Sequence, residues 1–130
     1  MGRTQYLIDT NAVIELLKGH LPSKGDEWLE NIVGENLHHL SVINKIELLG
    51  FNGVPAEMQL LEDFIAASNV LPLTEAVVRQ TIDIRRTYKI KLPDAVIAAT
   101  ALVHGLTMIS RNLSDFERIN GLTCVNAHDV

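Results

Sequence analysis

The chain has 130 residues, a formal net charge of −5, 47% hydrophobic and 21% charged residues, and one cysteine, Cys124. That length fits a single domain over residues 1–130, and the balance is globular, not disordered. The acidic total argues against a protein that grips nucleic acid by bulk positive charge, and a lone cysteine excludes an internal disulfide or a paired-cysteine metal knuckle.

The N-terminus lacks a signal peptide's apolar core, and no apolar run is long enough for a membrane span. A reducing, cytoplasmic setting with no membrane partner is the expectation.

Tyr6-Leu7-Ile8 reads as a short buried strand that runs directly into Asp9-Thr10-Asn11. Asp9 then stands at the strand's carboxyl end, where open parallel sheets bind ligands. A first helix is expected over 11–18, with Gly19 ending it. Ser23 is read as the N-cap of a second helix through Val33, with Trp28, Leu29, Ile32 and Val33 on one face. A short strand over 37–40 follows, then a helix from Val42 to Leu49 capped by Ser41. Pro55 opens a helix through Ala67 whose apolar face is Met58, Leu61 and Ile65, with Leu60 and Phe64 beside it. A strand over 69–73 contains Pro72. Thr74 caps a helix through Tyr88, Lys89–Leu92 form a basic loop, and Pro93 starts a helix that Gly105 terminates after His104. Leu106–Ser110 read as a strand, Leu113–Phe116 as a helical turn, and Leu122–Val125 as a last strand. Strands alternating with helices imply an α/β three-layer sandwich, a central mostly parallel sheet flanked by helices.

Four acids occupy notable places: Asp9, Glu47 within the third helix, Asp94 in the first turn after Pro93, and Asp115 beyond the Met108-Ile109 strand. Three of them fit a plain structural reading readily. Asp94 suits a helix N-terminus through the helix dipole alone, Glu47 suits a solvated helix position, and Asp115 suits a turn. Asp9 resists such a reading, because a carboxylate placed straight after a buried strand must be paired, hydrated or metal-bound.

Taken in order, Leu7-Ile8-Asp9-Thr10-Asn11, Ser41…Glu47-Leu48 with Gly50, Pro93-Asp94-Ala95-Val96-Ile97-Ala98-Ala99-Thr100-Ala101 and Ser110-Arg111-Asn112-Leu113-Ser114-Asp115-Phe116 resemble the PIN-domain ribonucleases that serve as toxins in VapBC toxin–antitoxin pairs. The resemblance covers essentially the whole chain. It implies a PIN-like fold, with Asp9, Glu47 and Asp94 as acidic metal ligands and Asp115 as the fourth acid. Asn112 stands where many relatives carry an acid, and is expected as a polar neighbour of Asp115. Ser110 keeps a hydroxyl found in the family, whereas Asn44 departs from one. Thr10 and Asn11 are expected to orient Asp9. The resemblance also implies a homodimer and an antitoxin partner that blocks the acid pocket.

The chemistry is coherent with such a set. Two carboxylates about 4 Å apart repel by roughly 1 kcal/mol in water and about 4 kcal/mol at an effective dielectric of 20, so gathered acids call for a cation. Hard oxygen donors favour Mg²⁺ or Mn²⁺, and no HExxH or Cys/His cluster argues for zinc. The expected reaction is hydrolysis of an RNA phosphodiester with metal assistance. Arg85, Arg86, Lys89, Lys91, Arg111 and Arg118 are candidate phosphate contacts, although Arg85, Arg86 and Lys89 also suit a solvated helix face. No aromatic stacking platform is visible, all five histidines read as surface or capping residues, and Cys124 reads as a buried strand residue. The rival readings are a PIN-fold binding protein that has lost the reaction, for which Asn112 is the best argument, and an aspartate-nucleophile phosphatase, which wants an aspartate where Asn11 stands.

Overall fold

The computed structural model describes residues 2–130. In chain order it comprises β1 (Tyr6–Ile8), α1 (Thr10–Leu17), α2 (Ser23–Gly34), β2 (His38–Ser41), α3 (Val42–Leu49), α4 (Pro55–Ala66), β3 (Asn69–Leu71), α5 (Glu75–Thr87), α6 (Leu92–His104), β4 (Thr107–Ile109), α7 (Leu113–Phe116), β5 (Cys124–Val125) and a 3-10 turn at Ala127–Asp129. The five strands form one sheet in the order β3-β2-β1-β4-β5, and every pairing is parallel. Such a sheet needs both faces covered, and strand alternation supplies two apolar faces. Leu7 and Met108 point into a core with Val77, Ile84, Ile97 and Phe116. Ile8, Leu40 and Ile109 point the other way, to Val13, Leu29, Leu48, Leu61 and Ile65. The result is the expected three-layer sandwich.

Helix α6 runs unbroken through buried residues from Ala95 to Ala101. Its alanines let it lie close against the sheet and α5, and Gly105 closes it at φ 66°, the left-handed region that suits glycine. No helix among the described residues is long and apolar enough to cross a membrane.

The departures from expectation are local. The first helix starts at Thr10 because Asp9 caps it. The second starts at Ser23, with Pro22 at the cap position and no capping side chain, so Ser23 is not the N-cap. The third strand stops at Leu71, since Pro72 has no N–H to offer a ladder. The last strand shrinks to Cys124–Val125, and Cys124 is only partly buried there. Leu60 is exposed, turned away from the face that buries Leu61 and Ile65.

The histidine expectation also needs correction at one position. His38 is 1% exposed, because strand alternation turns it inward onto α4 beside Phe64 and Ser68. Ser68 Oγ spends its proton on Phe64 O (2.6 Å), so the 2.9 Å contact to His38 requires the ring to donate through Nε2. His38 Nδ1 is left buried without a partner.

Candidate active site

The sheet order reverses at β1: β2 and β3 lie on one side of it, β4 and β5 on the other. The crevice at the carboxyl ends of β1 and β4 is therefore a topological switch point. Asp9 leaves β1 there, and its N–H bonds Ile109 O at 2.9 Å, which brings Ser110 alongside. Ser110 Oγ donates to Asp9 Oδ2 at 3.0 Å, and Thr10 N donates to Asp9 Oδ1 at 2.9 Å. Asp9 is only 8% exposed, so each of its oxygens has a donor.

Helix α3 brings in the next acid. Ser41 Oγ accepts from Ile43 N at 3.0 Å, and Asn44 Oδ1 accepts from Ser41 N at 2.8 Å, a reciprocal capping box. The amide end of Asn44 is then free to donate to Thr10 Oγ1 (3.0 Å), whose own proton goes to Glu47 Oε1 at 2.6 Å. Asn44 is fully buried and so ties the start of α3 to the start of α1. The sequence left Asn44 without a role, and this 34-residue link has no local signature. Asn11, in contrast, is exposed and forms no hydrogen bond to Asp9; it lines the groove beside it.

Asp94 lies in the first turn of α6, half-buried, and Asp115 in the first turn of α7. Both occupy helix N-termini, where the backbone favours negative charge. Asn112 Nδ2 donates to Asp115 Oδ2 at 2.6 Å, and Asn112 N donates to Ser110 Oγ at 3.0 Å. The hydroxyl of Ser110 thus links the Asn112–Asp115 pair to Asp9.

The electrostatics join the four acids into one group. Burial pushes the Asp9 carboxyl up to about 6, against the pull of the Ser110 and Thr10 hydrogen bonds, with a further push from Asp94 and Glu47. Asp94 is also raised, first by burial, then by the charges of Glu47 and Asp115, with Lys91 opposing. Like charges raise carboxyl pKa values in this way only at short range.

Among the described residues no three acid, histidine or cysteine side chains converge tightly enough to cage a metal ion as they stand. The donors nevertheless fit Mg²⁺ or Mn²⁺ in kind: all are oxygens, and two of the acids are held at raised pKa by burial and mutual repulsion. Mg²⁺ bound by few carboxylates ordinarily keeps several of its waters, so it does not demand a closed cage of protein ligands.

Two open grooves meet at Asn112. One is lined by Arg85, Lys89, Lys91, Asp94, Asn112 and Asp115. The other is lined by Asp9, Asn11, Glu15, His20, Arg111 and Asn112. Of the basic residues singled out in the sequence, Arg86 is exposed on α5 and lines neither groove. Arg118 is committed to the backbone, donating to Lys89 O and Asp115 O, and lies over the Tyr88 ring. Arg85 also donates to Ile90 O (2.7 Å), which shapes the basic loop. Glu15, without a role in the sequence reading, and His128, read there only as a surface or capping histidine, meet beside the second groove at 2.6 Å.

A family model described as "PIN domain" matches residues 6–122. No curated protein matches the sequence. Among solved structures, a toxin–antitoxin complex from Klebsiella pneumoniae is 28% identical over 97% of this chain and 100% of its own, with a TM-score of 0.79. DNA-bound VapBC from Salmonella typhimurium is 25% identical over 96% and 99%, with a TM-score of 0.81. FitAcB from Neisseria gonorrhoeae, at 24% identity, 97% and 100% coverage and a TM-score of 0.80, supports the fold alone.

Proposed function

The chain belongs to the PIN-domain family, and from that premise we propose that it is a Mg²⁺- or Mn²⁺-dependent endoribonuclease, the toxin of a VapBC-type toxin–antitoxin pair. One observation carries the reading: Asp9, Glu47, Asp94 and Asp115, far apart in the chain, act on one another electrostatically at the switch point of the sheet.

Asp9, Asp94 and Asp115 are the proposed metal ligands, with Glu47 holding the metal or its water. The bound cation would supply Lewis acidity toward a phosphoryl oxygen and acidify a water. The rest falls to the chain. Ser110 and Thr10 hold both Asp9 oxygens in place, and Thr10 aims Glu47 toward the crevice. Glu47 is exposed there, which suits it to accept the proton of an attacking water. Asn112 orients Asp115. Arg85, Lys89 and Lys91 are suited to hold the phosphates of a strand approaching along their groove. The double hydrogen bonding and burial of Asp9 speak against its serving as a covalent nucleophile. Asp115 offers the charge that Asn112 lacks, which weakens the case for an inactive relative.

An antitoxin partner is supported by the neighbours described as toxin–antitoxin complexes, and by an apolar groove of Ile14, Leu17, Phe51, Leu60 and Leu61 on the α1–α4 side. A homodimer is supported by a second apolar groove, lined by Ile43, Leu73, Ile82, Leu92 and Pro93.

The test is cleavage of end-labelled single-stranded RNA by the purified chain. Cleavage should require Mg²⁺ or Mn²⁺, stop with EDTA, and fall at least about a hundredfold in Asp9→Asn, the loss of one participant in a concerted site. Cleavage that survives both treatments would exclude the mechanism, and its absence from the intact chain with either metal would exclude the activity.

A further inference from the structure

The second groove contains a network that the proposed reaction does not use. Glu15, on the exit turn of α1, has a side chain only 15% exposed. Its Oε2 accepts from His128 Nε2 at 2.6 Å and from Arg111 Nη1 at 3.4 Å. His128 is itself fixed: Asn126 Oδ1 accepts from His128 N at 2.9 Å and caps the C-terminal turn. That turn cannot drift, because it packs on α2 where Gly25 meets Ala127 O so closely that a Cβ at Gly25 would stand 1.9 Å from the oxygen. Val125 O in turn accepts from Ser110 N at 3.0 Å, which connects the turn to the strand end that carries Arg111.

We propose that Glu15, anchored by His128, is a positioning residue that presents Arg111 to an RNA strand in the groove that meets the basic-loop groove at Asn112. The proposal rests on the ribonuclease reading and gives it a direction. A strand crossing at Asn112 meets Arg85, Lys89 and Lys91 in one groove and Arg111 and His20 in the other. Arg111 is 66% exposed and gives one nitrogen to Glu15, so the rest of its fork remains available for a phosphate oxygen. Glu15 does not repel that phosphate strongly, because its carboxylate faces His128 and Arg111 and is largely withdrawn from solvent.

The test measures binding of a fluorescein-labelled single-stranded oligoribonucleotide by anisotropy in EDTA, across a potassium chloride series, to the full chain. Arg111→Gln should weaken binding about fivefold at low salt and lower the log–log salt slope by about 0.7, one phosphate contact on a single strand. Glu15→Gln keeps an oxygen for His128 and should weaken binding about threefold, yet have almost no effect when Arg111→Gln is already present. Melting curves for each variant check that the fold is kept. An unchanged salt slope in Arg111→Gln, or a Glu15→Gln effect that persists in the double variant, overturns the proposal. In either case, loss of binding in Lys89→Gln/Lys91→Gln with metal-dependent cleavage by the unaltered chain would leave the ribonuclease reading standing. An unaltered chain that neither binds nor cuts RNA overturns both.

Discussion

Replacing Asp9 by asparagine should stabilise the metal-free protein at neutral pH, although the same change is expected to abolish cleavage. The carboxyl stands at about 6 in the folded chain against an ordinary 3.8, with burial as the largest cause. A folded-state pKa above the unfolded one means that the fold prefers the protonated form. The stabilising preference is complete below about pH 4 and is lost as pH rises through about 6, so at pH 7.5 the ionised group costs the fold up to about 3 kcal/mol. Asparagine cannot ionise and caps a helix about as well as aspartate. Its amide must face Ser110 Oγ, which now donates to Asp9 Oδ2, and that rearrangement returns about 1 kcal/mol. The net gain is about 2 kcal/mol, or about 8 °C in Tm for a domain of this size. Thermal melts by circular dichroism in EDTA, from pH 4 to pH 8, give the comparison. The variant's advantage should grow between pH 4 and 6.5 and then level off, and Mg²⁺ should close the gap by stabilising only the unaltered chain. A difference that is flat with pH, or a variant less stable at pH 7.5, would refute the claim that burial and crowded charge dominate at Asp9.

Thr10→Val removes the donor to Glu47 and the acceptor of the buried Asn44 amide, so it should lower stability by about 1–3 kcal/mol, read from urea unfolding, and slow cleavage. His38 is held below its ordinary pKa, first by burial and then by His39, so its contribution to stability is present above about 6.5 and falls as pH drops below it. His38→Leu in the Asp9→Asn background should flatten the stability curve between pH 7 and 5, checked by the same melts. Cys124, half-buried with its thiol pushed up to about 11, should react with iodoacetamide at pH 8 about a hundredfold more slowly than free cysteine, followed by mass spectrometry.

Those parts of the chain governed by local rules were readable in advance. The run Tyr6-Leu7-Ile8 fits a buried strand, Pro93 marks the start of α6 to within one residue and Gly105 its end, and the alternation of strands and helices implies a parallel sheet with acids at its carboxyl edge. Whatever depends on a distant partner was not readable. His38 is polar, and only the position of Ser68, just beyond the end of α4, explains its burial. Asn44 acquires a purpose through Thr10, and Glu15 through His128, 113 residues away. Arg118 resembled the other basic candidates until the carbonyls of Lys89 and Asp115 claimed it.

The central strand of the sheet carries a consequence for synthesis. β1 leaves the ribosome well before its neighbour β4, which is made 101 residues later, and the Asp9–Ser110 bond waits for it. A nascent chain holding only the β3-β2-β1 half has Asp9 and Glu47 but neither Asp94 nor Ser110. The proposed metal site therefore cannot assemble before α6 and β4 have been made, and whatever activity it carries is withheld from a chain that stops short of them.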